Sequence, residues 1–341
     1  MKTQIERAAR FEEAVKTLSP KIRAMLMAVP TEIRARTQEI RLRTNSPLSI
    51  NTGKETYFIQ NKNMLFKTPL MGVDCLSRED IEECFLGLCE YSVYSHQEDI
   101  KNGFITIKGG HRAGICGTAV TAEGKVVGVR NVSSINLRIA RQINGAAEAI
   151  CKEVFFNGLS GLLIAGAPSS GKTTILRDMA RQLSGGCLGE PLRVAVVDER
   201  GELAGVYRGS SANNLGYCCD ILNGYPKSEG IMQAVRSLSP DVILCDEIGS
   251  KEDIEAIEMG VNSGVSFIAS IHAASLKELA RKIQIKRLLE TGAFPKIVLL
   301  GGRDNPGEIN KILTEGDGDA QSLWFSLNSG GNNFDGSGGA A

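Results

Sequence analysis

A glycine-rich loop between a short apolar run and a helical pattern constrains this chain more than any other feature. The loop reads GAPSSGKT over residues 166–173, and LLIA stands immediately before it. A short continuous apolar run is typical of a buried parallel strand. The sequence after the loop, TTILRDMARQL, places its apolar residues at helical spacing. The loop therefore joins a predicted strand to a predicted helix.

The loop fits the phosphate-binding pattern G-x-x-x-x-G-K-[ST]. Glycines let backbone N–H groups approach phosphate oxygens, and the positive end of the following helix faces the same anion. Lys172 is expected to reach the β- and γ-phosphates, and the Thr173 hydroxyl to bind Mg²⁺. A glycine-rich turn can match by chance, but the strand before and the helix after are the context that the motif requires. The predicted nucleotide-binding residues are Gly166, Ala167, Pro168, Ser169, Ser170, Gly171, Lys172, Thr173 and Thr174.

Length and composition predict a globular protein of about two domains. The chain has 341 residues, of which 42% are hydrophobic and 23% are charged. Its 39 basic and 39 acidic residues give zero net charge, whereas proteins that act on nucleic acid are more often basic. No apolar run approaches the ~18 residues of a membrane span, and the N-terminus lacks the apolar core of a signal peptide. We therefore expect a cytoplasmic protein that meets a membrane only peripherally.

The first 140 residues mix helical and strand-like patterns and predict an α+β domain. Residues 5–28 have apolar positions at helical spacing. Ser77 stands three residues before Asp80, which is a helix-start signal close to a capping box. Nine cysteines occur without a C-x-x-C pair, and this pattern predicts reduced thiols and no zinc site.

The second half of the chain predicts a different architecture. Residues 141–150 are interpreted as a hinge that leads into a helix. Over 151–315 the apolar runs LLIA, VAVV, VILC and SFIAS alternate with helical stretches, and KIVLLGGRDNPGEINKIL indicates a terminal hairpin. That alternation predicts a mostly parallel sheet covered by helices. Residues 316–341, rich in Gly, Asn, Asp and Ser, are predicted to be a disordered tail.

Three apolar runs after the loop end in polar residues. They end at Asp198-Glu199, at Asp246-Glu247 and at His272. Ligands bind at the carboxyl ends of strands in open α/β sheets, and phosphoryl transfer needs a carboxylate for Mg²⁺ and a group that positions water. Asp246 suits the first role and Glu247 the second. Charged strand ends are common and a lone histidine is usually structural, so these residues gain their meaning from the phosphate loop beside them.

These segments resemble the four motifs of the type II and type IV secretion ATPases. GAPSSGKTTIL is similar to their Walker A motif, VVDERGEL to the Asp box, PDVILCDEIG to Walker B and SIHAAS to the His box. EIRLRTNSPLSI, GGHRAGICGTAV and VRNVSSINLRIARQ resemble a narrower family of smaller relatives, stage III sporulation protein AA. The resemblance covers residues 10–313. It implies an N-terminal α+β domain followed by a RecA/AAA-like P-loop ATPase domain with a mostly parallel sheet.

The resemblance implies a role for each motif residue. ATP and Mg²⁺ would be the cofactors, with Thr173 and Asp246 as metal ligands. Glu247, Glu199 and His272 would be catalytic. The larger ATPases usually have Glu-Asp-Pro in the Asp box where this chain has Asp-Glu-Arg, and Gly-Glu in Walker B where it has Asp-Glu. The Asp-box departure leaves open which acid of that box acts.

Arginines of the first half are further candidates. The resemblance implies a ring, usually a hexamer, in which arginines of the N-terminal domain approach the γ-phosphate. An arginine finger stabilises transition-state charge and is worth ~10³–10⁵ in rate. The alternative is that these are surface arginines on strands. The candidates are Arg112, Arg130, Arg138 and Arg141, of which Arg138 and Arg141 adjoin the predicted hinge.

The resemblance implies an ATP-hydrolysing motor. It would drive assembly of, or transport through, a secretion-like membrane channel between mother cell and forespore during endospore formation. Its partners would be copies of itself and a membrane protein similar to stage III sporulation protein AB, with the motor at the membrane in the mother-cell cytoplasm.

A nucleic-acid-linked P-loop ATPase is the alternative function. Zero net charge and 5% aromatic residues argue against a base-stacking platform, so no direct nucleic-acid partner is expected. A small-molecule kinase would not need the acidic pair followed by the histidine. A GTPase is disfavoured because the sequence has no N-K-x-D motif.

Overall fold

The computed structural model describes residues 2–60, 64–70, 74–303 and 305–316. These residues form two compact units. Unit 1 comprises the residues up to Arg141 together with Gly205–Ala212, and unit 2 comprises Gln142–Ala204 and the described residues from Asn213 onward. The predicted boundaries at 140 and 151 and the hinge between them stay predictions. All but the first residue of the predicted tail lies outside the described residues.

Unit 1 begins with helices and continues into an antiparallel sheet. Its helices are α1 (Lys2–Val15), α2 (Pro20–Met27), α3 (Thr31–Arg36), α4 (Arg78–Leu88) and α5 (Gln97–Lys101). Its sheet strands are β1 (Glu39–Arg43), β2 (Leu48–Asn51), β3 (Thr56–Gln60), β4 (Met64–Phe66), β5 (Phe104–Ile107), β6 (His111–Ala122) and β7 (Lys125–Arg138). Val93–His96 forms a 3₁₀ helix before α5.

The strands of this sheet lie in the order β4-β3-β2-β1-β7-β6-β5, and all neighbours are antiparallel. Burial alternates along β1, where Ile40 and Leu42 are buried and their neighbours are partly exposed. One face therefore packs on a core and the other meets solvent. Residues of α1, α2 and α4 complete that core, among them Phe11, Ile22 and Ile81.

One predicted helix is two helices in the structure. The spacing over 5–28 predicted helix throughout, but α1 ends at Val15 and α2 begins at Pro20. Proline has no N–H to donate and clashes within a helix, so it is tolerated in the first turn and breaks the interior. The capping box at the start of α4 is confirmed. Ser77 Oγ accepts the Asp80 N–H at 3.2 Å, and Asp80 Oδ2 accepts the Ser77 N–H at 2.9 Å.

Unit 2 alternates strands and helices. Its strands are β8 (Leu162–Gly166), β9 (Val194–Asp198), β12 (Cys219–Asn223), β13 (Val242–Cys245), β14 (Ser266–His272), β15 (Lys296–Leu300) and β16 (Ile309–Thr314). Its helices are α6 (Glu148–Val154), α7 (Lys172–Ser184), α8 (Lys227–Ser237), α9 (Lys251–Asn262), α10 (Leu276–Arg281) and α11 (Ile283–Glu290). Between β9 and β12 the chain forms the short hairpin β10 (Val206–Tyr207) and β11 (Ser210–Ser211), which belongs to unit 1.

The unit 2 sheet has the order β12-β9-β13-β14-β8-β15-β16 and is parallel except for its last pair. Strands β8, β9 and β13 are buried along their whole length, because α8 and α9 pack on one face and α7 on the other. The predicted parallel sheet, its four apolar strands and the terminal hairpin are confirmed. The strand β12 was not predicted, because CDILN lacks a continuous apolar run. Among the described residues, no helix combines the length and apolar character needed to span a bilayer.

Candidate active site

The glycine-rich loop joins the buried strand β8 to the helix α7 at the carboxyl edge of the parallel sheet. Gly171 immediately precedes α7 with φ 96°, and Ser169 has φ 64°. A Cβ atom on Gly171 would lie 2.9 Å from the backbone nitrogen of Gly307, so both backbone conformation and space require glycine there. Ser170 Oγ is fully buried and has no hydrogen-bond partner among the described residues. Such a backbone, with an unused buried polar atom, fits an anion-binding loop.

Lys172, the first residue of α7, has a buried side chain that folds back over the loop. Its Nζ donates to the carbonyl oxygens of Gly166 at 2.8 Å and Ala167 at 2.9 Å. Burial lowers the pKa of this ammonium, and the charges of Asp246 and Glu247 act in the opposite direction. The ammonium therefore sits at the mouth of the loop and is held by neutral carbonyl groups that a phosphate oxygen can replace.

The side chain of Thr173, the next residue, contacts an acid of the Walker B segment. Thr173 Oγ1 donates to Asp246 Oδ2 at 2.8 Å, although the two residues are 73 positions apart in the chain. Ser270 Oγ, from β14, donates to Asp246 Oδ1 and accepts the backbone N–H of Glu247 at 3.1 Å. A hydroxyl and a carboxylate side by side are oxygen ligands of the kind that Mg²⁺ prefers. The pair Thr173 and Asp246 therefore fits the predicted metal site.

A second hydrogen-bond chain crosses the sheet edge from the loop to the Asp box. Lys172 Nζ lies 3.0 Å from His272 Nδ1, and His272 Nε2 contacts Glu247 Oε1. Arg200 completes the chain with a 2.8 Å bond to Glu247 Oε2. Glu247 itself has φ 51°, a left-handed conformation that costs a residue other than glycine about 1–3 kcal/mol. Its carboxylate is thus fixed between a histidine and an arginine, and strained backbone at such a point is common in functional sites.

The two acids of the Asp box have different environments. The buried Asp198 accepts the backbone N–H groups of residues 202–204 at 2.8 Å, 3.1 Å and 2.8 Å. Burial raises the pKa of Asp198, and these three N–H groups act against that rise. Arg177 of α7 donates to the carbonyls of the same turn. Asp198 therefore folds the turn, whereas Glu199 is half-exposed and lies 3.4 Å from Lys227 Nζ.

The predicted arginines all belong to unit 1: Arg112, Arg130, Arg138 and Arg141. The guanidinium of Arg112 stacks on the Phe104 ring at 3.5 Å. Arg138 Nε lies 3.2 Å from Glu39 Oε1. Arg141 is partly buried and donates to a backbone carbonyl, and burial lowers its pKa to about 10. The role of any of them as an arginine finger stays a prediction.

Sequence reasoning missed three residues of this site: Ser270, Arg200 and Lys227. Ser270 lies two residues before the predicted His272 on β14, so both side chains point to the same side of the sheet. The available signal was a serine within an apolar strand. Arg200 was noted as a departure from the Asp-box pattern but not as a partner of Glu247. Lys227 begins α8, where the helix dipole disfavours a positive charge. A lysine at that position was the signal that could have identified it as a site residue.

Comparisons with known proteins identify the family to which this chain is similar. The family model described as "Sporulation stage III, protein AA" matches residues 8–319. Stage III sporulation protein AA of Bacillus subtilis (strain 168) is 35% identical over 303 residues, which cover 89% of this chain and 94% of that protein.

Solved structures are similar in fold. The ATPase DotB of Legionella pneumophila matches with a TM-score of 0.57 at 15% identity, over 90% of this chain and 83% of that one. The pilus retraction motor PilT with bound ADP matches with a TM-score of 0.52 at 13% identity, over 85% and 82% of the two chains. At these identities the likeness shows only that the chain shares the fold of these two proteins.

Proposed function

The chain belongs to the sporulation stage III protein AA family, and on that premise we propose that it is a Mg²⁺-dependent ATPase. One observation carries the proposal: the phosphate loop, Walker B and the His box meet at one sheet edge. Lys172 Nζ lies 3.0 Å from His272 Nδ1, and Thr173 Oγ1 lies 2.8 Å from Asp246 Oδ2. Two proteins of similar fold, the ATPase DotB and the pilus retraction motor PilT with bound ADP, support the same proposal.

ATP binding rests on the loop and on the first turn of α7. The backbone N–H groups of 169–174 would cradle the phosphates, with the positive end of α7 behind them. Lys172 exchanges its bonds to loop carbonyls for bonds to the β- and γ-phosphate oxygens. Thr173 and Asp246 would hold Mg²⁺, which when bound neutralises charge on the phosphate oxygens.

Glu247 acts as the acceptor that positions the attacking water. The water loses a proton to the Glu247 carboxylate while its oxygen bonds to the γ-phosphorus, and the bond to the β–γ bridging oxygen breaks to release ADP. His272 contacts both Glu247 and Lys172, so it couples the position of the Glu247 carboxylate to the binding of phosphate at Lys172. Because Asp198 is engaged by three backbone N–H groups, Glu199 is the Asp-box acid that we assign to catalysis.

At the level of the cell, we infer that hydrolysis drives a motor in endospore formation. Family membership supports the sporulation role. We infer further that copies of the chain form a ring, usually a hexamer. The motor would act on a secretion-like channel between mother cell and forespore. A membrane protein similar to stage III sporulation protein AB would hold the motor at the membrane from the cytoplasmic side.

Replacing Glu247 by glutamine tests the proposal. We expect Glu247→Gln to bind ATP normally and to lose ~10²–10⁴-fold in kcat, because a positioned acid or base contributes that factor. Glu255→Gln is the matched control, since Glu255 is exposed on α9 and pairs only with Lys251 among the contacts described. Phosphate release measures kcat, a fluorescent ATP analogue measures affinity, and sedimentation measures oligomer size.

Three outcomes would change the assignment. Near-full activity in Glu247→Gln would move the catalytic role to Glu199, which Glu199→Gln then tests. A wild-type protein that neither binds nor hydrolyses ATP as a purified oligomer, with or without the membrane partner, refutes the ATPase. Hydrolysis that rises many-fold only on adding single-stranded nucleic acid would favour the alternative function.

A further inference from the structure

A buried lysine begins helix α8 in unit 2. The side chain of Lys227 is 8% exposed. It stands directly after Pro226, at the end of the helix where the dipole is positive and repels cations. A buried ammonium is costly unless it is paired and hydrogen-bonded. Its position therefore requires fixed partners that compensate for both effects.

Those partners come from two different motifs. Lys227 Nζ donates to the backbone carbonyl oxygen of Glu247 at 2.8 Å and lies 3.4 Å from Glu199 Oε2. The first bond goes to Walker B and the second contact to the Asp box. Lys227 thus bridges the two acids that the proposed hydrolysis uses.

The bond to Glu247 acts on a strained residue. Glu247 has the left-handed φ of 51°, which persists only where the surroundings determine it. Its N–H is held by Ser270 Oγ and its C=O by Lys227 Nζ. Because both backbone groups are fixed, the direction of the Glu247 side chain is fixed as well. Among the hydrogen bonds of the described residues, the one from Lys227 holds the Glu247 carbonyl oxygen, and no second one does.

A small cavity lies beside this bridge. Its volume is about 20 Å³, and Glu199, Lys227, Asp246 and Glu247 are among its lining residues. A polar cavity needs roughly 10–15 Å³ to hold one water molecule. The space between the two acid boxes therefore has the size and the polarity for one water.

We propose that Lys227 is a positioning residue of the hydrolysis. Its ammonium holds the backbone of Glu247 in the left-handed conformation and draws the Glu199 carboxylate toward the one-water cavity. Lys227 acts through these acids and is not assigned a contact with the nucleotide. The inference rests on the proposed ATPase function and adds to it a link between the Asp box and Walker B.

Lys227→Met tests the proposal, because methionine keeps the length and apolar stem of lysine and removes the charge. We expect kcat to fall ~10²-fold, the cost of misplacing a reacting group, while ATP affinity stays unchanged. Capture of Mg·ADP·AlF₄, a transition-state analogue, should weaken in parallel with kcat. Lys251→Met is the matched control: Lys251 is also the first residue of a helix, α9, but is exposed, and this variant should behave as wild type.

Two further variants separate positioning from folding. Lys227→Arg keeps the charge and should recover part of kcat. The double variant with Glu199→Gln should lose less activity than the product of the single losses, because the two residues act as a unit. A Lys227→Met protein with normal kcat, or with kcat and ATP affinity lowered equally, overturns the proposal.

Hydrogen exchange keeps the test independent of ATPase activity. Exchange at the backbone of 246–249 should accelerate in Lys227→Met and stay at the wild-type rate in Lys251→Met. If the wild type hydrolyses no ATP but this acceleration occurs, the bridge exists and the ATPase proposal alone fails. If the wild type hydrolyses ATP and the acceleration is absent, the positioning role fails alone.

Discussion

The two sheets of this protein bury their strands in different ways. In unit 1, burial alternates along β1, so every second side chain faces away from the core. In unit 2, β8 and β9 are buried at every position, and exposed residues begin only after the strands end, as at Glu199. An antiparallel sheet can leave one face to solvent, whereas a parallel sheet with helices on both faces cannot. The polar side chains Asp198 and His272 accordingly stand at the last positions of β9 and β14.

The polar residues of the candidate site in unit 2 also differ from the buried polar residues of unit 1. In unit 1 they pair with one another across the fold. His111 is fully buried and accepts the backbone N–H of Ala140 at 3.0 Å, and burial lowers its pKa to about 3. Arg10 donates to Glu13 at 2.8 Å and also to the Ala140 carbonyl. These groups fix the path of the chain, as Asp198 does in unit 2. By contrast, Lys172 and His272 lie together at the carboxyl edge of the unit 2 sheet, as do Thr173 and Asp246.

The largest expected effect comes from the arginine variants, which test whether unit 1 contributes to catalysis. We expect at least one of Arg112→Ala, Arg130→Ala, Arg138→Ala and Arg141→Ala to lower kcat ~10³–10⁵-fold with ATP binding nearly intact. Steady-state phosphate release checks kcat, and analogue binding checks affinity. Glu39→Gln controls for loss of the ion pair of Arg138. Wild-type hydrolysis in all four variants would end the finger hypothesis and confine catalysis to unit 2.

Matched core substitutions test whether the units are separately cooperative. Ile40 of β1 and Ile243 of β13 are both fully buried on interior strands. We expect Ile40→Ala and Ile243→Ala each to cost about 2–5 kcal/mol of unfolding free energy, through lost apolar burial and the cavity left behind. Amide hydrogen exchange resolved by segment should accelerate mainly in the unit that carries the change. Equal acceleration in both units after either change would show that they unfold together.

The smallest expected effect comes from a motif that both units share. Ser77 caps α4 in unit 1 and Ser250 caps α9 in unit 2, each by accepting the N–H of an aspartate three residues on, at 3.2 Å and 3.0 Å. Ser77→Ala and Ser250→Ala should each cost about 1 kcal/mol, because one backbone N–H loses its partner. Denaturant melts measure the loss. Costs that differ greatly between the variants would mean that tertiary contacts dominate one cap.

Much of this architecture could be predicted from the sequence. The strand, loop and helix around residues 162–184 follow from apolar spacing and glycine placement, which are local properties. The same holds for the capping box of α4 and for the acids that follow β9 and β13. The break between α1 and α2 also has a local cause, Pro20, but it was not predicted because the residues on both sides have helical spacing.

Local sequence patterns establish which residues end the buried strands, because strand burial and glycine conformation depend on near neighbours. The tertiary fold then establishes which groups those residues contact. It turned Asp198 toward three backbone N–H groups, brought Thr173 to Asp246 across 73 positions, and set Lys227 between two acid motifs. Contacts between segments far apart in the chain depend on how strands are ordered in the sheet, and no local pattern encodes that order.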